Sequence, residues 1–385
     1  MDLRIWLLTC GNLAIGTNVL IVSGLLDVIA ADLSVSISMA GQLTTVFAIT
    51  VAVCGPLLAT LTGRWGRRQL LTFALLASAT GSLLAAFSVD YLSLCAARVV
   101  SGVGAAIFVP HAATTASLIA GPAQRGKAIT TVFSGFVFAS VMGVPIGNTI
   151  GEHFGWRCAF VFVAALPLIS MVPLVRMLPA RLVAPLADGR AWAQLLRTPA
   201  LLLMISTTAV QLTGQLTLSG YLAPWLKHHL GIDSVGVGVM FMLYGLASGV
   251  GMVMAAKGID RLGPSRLVAI AITSCLVAML LMPFVQTSLY ATAAILMLWG
   301  CGSLAINSAM QARLIAAAPW LATASVPLNS SAISVGQALG AILGAWIIDI
   351  DGYDRLAWAG AAVLIAALGM SCAADRQRPP KPLTV

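Results

Sequence analysis

Arg98 is the residue of this 385-residue chain with the most chemistry to offer, because it falls inside a long apolar run. It lies eight residues past Asp90, the last acid before that run. At helical rise this is about 12 Å, close to a third of a hydrocarbon core roughly 30 Å thick. An arginine at that depth is costly unless it is paired or faces water. Three roles fit: an anion-binding group in a cavity, a partner that tunes a nearby carboxylate, or an ion pair or snorkelling side chain that ties helices together. Asp27 is the acid of the first half that could lie within an apolar run, near its outer end. Low dielectric raises a carboxyl pKa and an adjacent arginine lowers it again. Asp27 with Arg98 is therefore the expected proton site; the alternative is an interfacial Asp27 in outer water. His111, next to Pro110, suits either a proton relay or a neutral structural histidine. Glu152, the one glutamate, follows a glycine-rich run and is expected at the outer face.

Amides supply the second set of candidates. Gln211 and Gln215 are spaced i,i+4, as are Asn307 and Gln311, so each pair shares a helix face. Asn12, Asn18 and Asn329 join them. Amides exposed to lipid are costly, so these faces should point inward, either lining a cavity or bonding helix to helix. A lined cavity would suit a neutral or weakly charged ligand with several hydrogen-bonding groups.

The elements that must carry these residues are membrane helices. Apolar residues make up 59% of the chain and charged residues 9%, against about 25% charged in a soluble domain. Mean hydropathy is +0.98. Twelve stretches reach the roughly 20 residues that a spanning helix needs. They lie near 5–30, 36–62, 69–89, 91–118, 128–151, 157–178, 199–226, 235–257, 267–287, 289–314, 325–349 and 356–374. With the N-terminus placed in the cytoplasm, 17 of the 21 basic residues fall on the cytoplasmic side, and only Arg157, Lys227 and Arg355 fall outside. That split follows the positive-inside rule. The net charge of +9 is thus topology and calls for no nucleic-acid partner. Seven scattered cysteines and four histidines show no metal spacing. Arg125-Gly126-Lys127-Ala128 lacks the glycines and hydroxyl of a phosphate loop. No cofactor is expected.

The chain also repeats itself. Gly63-Arg64-Trp65-Gly66-Arg67-Arg68 is answered 197 residues later by Asp260-Arg261-Leu262-Gly263-Pro264-Ser265-Arg266. Gly143, Gly147 and Gly151 recur, offset by 193, as Gly336, Gly340 and Gly344. The expected organisation is a six-helix bundle over 1–178, a cytoplasmic linker over 179–198, and a second bundle over 199–385. Duplicated bundles of this kind point to a secondary transporter. Small residues at i and i+4 permit close helix approach, and Pro145 removes a backbone donor. Gly143, Pro145 and Gly147, matched by Gly336 and Gly340, are therefore expected at a tight contact between the bundles.

The loop at Gly63–Arg68 resembles the cytoplasmic loop motif of the major facilitator superfamily. Arg98-Val-Val-Ser-Gly102-Val-Gly104 is similar to its helix-4 motif. Gly143-Val-Pro145-Ile-Gly147 resembles the motif of the drug:proton antiporter branch, and the chain is most similar to the bacterial arabinose/chloramphenicol/nucleoside efflux permeases. The resemblance implies an all-α fold of twelve transmembrane helices in two pseudo-symmetric bundles, with helices 1, 4, 7 and 10 lining a central cavity. It implies a monomeric, proton-coupled exporter of a small organic molecule in the bacterial inner membrane, both termini cytoplasmic. A proton-coupled importer on the same fold is the alternative, and a non-transporting membrane sensor a remote one. The chain departs from the family at four positions, the first being Ala59, where the family loop usually has Gly. Gly63 stands where the family has Asp, so a cross-bundle latch lacks its acid there. Asn18 stands where relatives carry Glu, which removes a proton site, and Asp27 stands where they carry Pro.

Overall fold

The computed structural model describes residues 2–62, 65–121, 124–179 and 189–377, except the side chains of residues 59, 60, 125, 189, 190, 260 and 323. Arg64 therefore lies outside the described residues, as does the side chain of Asp260. Described residues form helices and no strand. In chain order these are α1 (Leu3–Asp32), α2 (Ile37–Leu61), α3 (Arg67–Ala86), α4 (Tyr91–Ala120), α5 (Arg125–Phe138), a π turn (Ala139–Gly143), α6 (Val144–Phe154) and α7 (Trp156–Met177). The second half holds α8 (Gly189–Leu196), α9 (Pro199–Ser219), α10 (Leu222–Leu230), α11 (Ser234–Leu262), α12 (Pro264–Val285), α13 (Leu289–Ala317), α14 (Ala322–Asp351) and α15 (Leu356–Arg376). Among the described residues, twelve helices are long and apolar enough to cross a membrane, with α5, the π turn and α6 forming one of them.

Local chemistry sets the helix ends. Asp2 accepts from Arg4 N, Ser36 from Met39 N, and Asp90 forms a reciprocal capping box with Ser93. Gly263, at φ 77°, turns the chain between α11 and α12 in one residue, a conformation that favours glycine. Its counterpart Gly66 sits at φ −60° as the extended N-cap of α3, so the two copies of the loop motif differ in backbone.

Two features modify the expected helices. The seventh span, expected over 199–226, breaks after Ser219, and the chain restarts as α10. The fifth span carries the π turn directly before Pro145. Proline cannot donate to the preceding turn, and one wide turn takes up the displaced carbonyls.

The chain forms two compact units, Met1–Pro185 with Gly220–Gly245, and Leu186–Ser219 with Leu246–Val385. The first unit thus takes in α10 and the first part of α11, residues of the second sequence repeat. Its core is apolar and includes Leu8, Ile15, Leu70, Leu71, Ile107 and Phe108.

The glycine rows face their own half. A Cβ added at Gly143, Gly147 or Gly151 would meet Thr17, Ile21 or Leu25 of α1. One added at Gly336 or Gly340 would meet α9, at Ala209 and Leu212, or at Thr213 and Leu216. The expected contact between bundles is corrected on this point, because both rows join the first span of a half to its fifth. Another edge of the kinked helix meets the second repeat, within the first unit. Pro145 Cβ lies 3.4 Å from a Cβ placed on Gly238, and Ser140 packs on Gly245.

Candidate functional site

Arg98 is fully buried in α4, with 0% exposure. Its Nη1 donates to Asn18 Oδ1 (2.6 Å) and to the Asn18 carbonyl (3.1 Å) on α1. Asn18 is in turn held by α3, because its Nδ2 donates to Ser82 Oγ (2.6 Å) and Ser78 Oγ (3.3 Å). The Phe47 ring of α2 lies 4.3 Å from the guanidinium carbon, a cation–π distance. Four helices thus fix one guanidinium. Among the described residues its Nε and Nη2 have no acceptor. Asn18, expected either to line a cavity or to bond helix to helix, anchors the arginine. Ser78, Ser82 and Phe47 escaped the sequence reading, although the i,i+4 spacing of the two serines marked a polar stripe on α3.

Asp27 does not meet Arg98. Its carboxylate pairs with Lys227 of α10 at 3.1 Å, both side chains a little over a quarter exposed (29% and 27%). Asp27 is nine residues beyond Asn18 on α1, about 13 Å at helical rise, too far to share that arginine. Lys227 is brought there because α10 lies on the first unit. Leu222, Ala223, Pro224, Trp225 and Leu226 are all buried, and Tyr221 packs where Gly41 leaves room.

His111 does have a cationic neighbour. Arg67, 6% exposed at the start of α3, contacts His111 Nδ1 through Nη1 at 2.5 Å. The ring nitrogen can only accept there, so the histidine is neutral in this arrangement. Arg67, Arg68 and Gly66 of the loop motif thus divide their work. Arg67 turns inward, Arg68 is half-buried and Gly66 caps α3. In the second copy Arg261 is exposed.

The second unit holds the amides. Trp299 Nε1 of α13 donates to Gln215 Oε1 (3.2 Å), and Gln215 Nε2 donates to Gln211 Oε1 at 2.5 Å. The indole is a donor only, so it fixes both amide orientations and leaves Gln211 Nε2 buried without an acceptor. Thr208 Oγ1 donates to Asn329 Oδ1 at 2.6 Å, while Asn329 Nδ2 has no partner. Asn307 presents an unpartnered Oδ1, and Gln311 is half-buried one turn further along α13. Asn12 belongs elsewhere: it ties α1 to α5 by donating to Val132 O at 3.0 Å. Arg313 is 2% exposed and bonds Ser371 Oγ (2.9 Å) and Asp375 (2.8 Å) on α15. Among the described residues no cluster of His, Cys, Asp and Glu could hold a metal.

The structure therefore offers one polar centre within each unit, a guanidinium held by neutral groups in the first and a chain of oriented amides in the second. Comparison with known proteins agrees with this architecture. The Major Facilitator Superfamily profile matches residues 8–326 and again 207–384. The inner membrane transport protein YdhP of Escherichia coli (strain K12) is 30% identical over 373 residues, 97% of this chain and 96% of that protein. A chloramphenicol resistance protein of Streptomyces lividans is 30% identical over 349 residues, 90% of this chain and 89% of that protein. The crystal structure of a D-xylose–proton symporter shares the fold, with a TM-score of 0.75 at 16% identity over 95% of this chain and 96% of that one. Twelve spans, a duplicated sequence and matches that run nearly end to end give one conclusion: the chain belongs to the Major Facilitator Superfamily of membrane transporters.

Proposed function

We propose that this transporter is a secondary active exporter, moving a small organic molecule out of the bacterial cytoplasm by proton antiport with alternating access. It would work as a monomer in the inner membrane, with both termini cytoplasmic. The observation that carries the direction is the near full-length likeness to a chloramphenicol resistance protein. The basic-residue split supports the orientation.

The geometry suggests how protons bias the cycle. A coupling ion shifts an equilibrium only by binding the two states differently. The Asp27–Lys227 pair at 3.1 Å ties the charge of that carboxylate to the position of α10. His111 can take up a proton only if Arg67 withdraws, since two cations would otherwise meet in a buried site. In each pair protonation is tied to the movement of a cationic partner. Asp27 and His111 are thus proposed as separate proton-linked switches, and Arg98 is freed for substrate.

The test is accumulation of a compound panel in cells with and without the protein, before and after an uncoupler. An exporter lowers the internal level of at least one compound, and collapse of the gradient restores it. Accumulation raised by the protein and abolished by the uncoupler would make it an importer instead.

A further inference from the structure

We propose that Arg98 is the recognition group for an organic carboxylate, so that the exported molecule is an anion; this rests on the efflux reading above and deepens it. A planar guanidinium has a side-on edge made of Nε–H and one Nη–H, and that edge matches the two oxygens of a carboxylate. In this structure the other terminal nitrogen, Nη1, is occupied by both Asn18 oxygens. The two nitrogens left without acceptors are Nε and Nη2, the members of that edge. The plane is held by Phe47 at 4.3 Å, and Asn18 is held by Ser78 and Ser82. The fork is therefore built and oriented in advance, and it is empty of protein acceptors.

Its charge is equally unmatched. Among the described residues, the groups that bond or stack on Arg98 are neutral: an amide, a backbone carbonyl and an aromatic ring. Asp27 of α1 lies beyond reach and is paired with Lys227. Arg313, the other deeply buried arginine, has Asp375 at 2.8 Å as its counter-ion. A buried cation with no anion is costly, and an anion arriving with two coplanar oxygens supplies both the missing charge and the two missing hydrogen bonds. A neutral acceptor would supply neither fully.

The experiment uses matched triples of an aryl carboxylate, its methyl ester and its primary amide, beginning with salicylate, methyl salicylate and salicylamide, beside neutral and cationic drugs. Accumulation is measured in cells expressing the wild type, Asn18→Asp or Arg98→Lys at equal membrane abundance. Asn18→Asp places a carboxylate on the guanidinium while keeping side-chain shape; Arg98→Lys keeps the charge but removes the fork. The wild type should export the acid member of a triple at least tenfold better than its ester, and both variants should lose that preference. Where a variant fails to reach the membrane, the same preference is read as stabilisation of the purified wild-type chain against heat by acid over ester. Equal handling of acid and ester, or a preference unchanged in both variants, overturns the proposal. Saturable stabilisation by chloride alone, lost in Asn18→Asp, would make the compensating anion inorganic and overturn it as well. Export of neutral or cationic drugs without any acid sinks this inference and leaves the efflux reading standing. Export of nothing in the whole panel sinks both.

Discussion

The two glycine seams give opposite responses to the same mutation. An added methyl at Gly147 meets Ile21 Cδ1, the tip of a side chain that can rotate. Moving it off its preferred rotamer costs about 0.5–1.5 kcal/mol, and alanine recovers about 1 kcal/mol of helix propensity over glycine. The net change is close to zero. At Gly336 the methyl meets the Ala209 carbonyl and Leu212 Cβ, the latter at 2.7 Å, both rigidly part of α9. Neither can rotate away, so α14 must move off α9 along a seam where Gly340 already sits 2.6 Å, by the same measure, from Leu216 Cβ. Overpacking of this kind costs about 1–3 kcal/mol. The displacement also strains the Thr208–Asn329 hydrogen bond across that seam, worth about 1 kcal/mol. After the propensity gain, Gly336→Ala should destabilise by about 1–3 kcal/mol. At about 2–4 °C per kcal/mol for a unit of this size, its midpoint should drop by roughly 2–12 °C in size-exclusion assays of heated, detergent-solubilised protein. Gly147→Ala should stay within a degree or two of the wild type, by the same scale. Equal losses in the two variants, or an unshifted Gly336→Ala, would refute the distinction between a movable tip and a fixed backbone.

Asp27→Asn removes an ion pair whose partners are a little over a quarter exposed, worth about 0.5–1 kcal/mol after solvent screening. A cysteine placed at buried Leu226 should then react with maleimide about two to five times faster, and an unchanged rate would show that α10 is held by packing alone. Trp299→Phe deletes the donor that orients Gln215 and Gln211; apparent affinity for an exported compound should fall roughly fivefold for one lost hydrogen bond, with membrane abundance unchanged. Cys158 is exposed at the start of α7, and an impermeant maleimide should label it in intact cells if the N-terminus is cytoplasmic. Labelling only after lysis would invert the topology.

Much of the architecture was readable in advance because bilayer thickness imposes a length and lipid imposes an apolar composition, and both act residue by residue. The twelve spans and the duplicated half needed nothing more. The break after Ser219 was hidden because Tyr221, Leu222 and Trp225 are as apolar as the helix before them, and only their packing beside α1 and α2 shows that the chain turns. The π turn at Ala139–Gly143 left no signal beyond the proline that follows it. Pairings between distant residues were the least legible. Arg98 was singled out by its depth, but its anchor stands 80 positions earlier, and an asparagine gives no advance sign of whether it will bond a cation or a ligand. Lys227 was counted as a loop charge because its neighbours in sequence are polar histidines, while its neighbour in space is Asp27.

Residues 220–245 fold with the first unit although they are encoded after the linker. Neither half of the gene therefore specifies a finished surface. A fragment ending near residue 178 would leave bare the side of α1 and α2 that Tyr221, Trp225 and Leu226 cover, and a fragment starting near 199 would carry that apolar segment with nothing beneath it. Halves produced separately should be unstable alone and recover when synthesised together. A chain cut between residues 179 and 189 should stay associated, since its two pieces are interleaved rather than merely tethered.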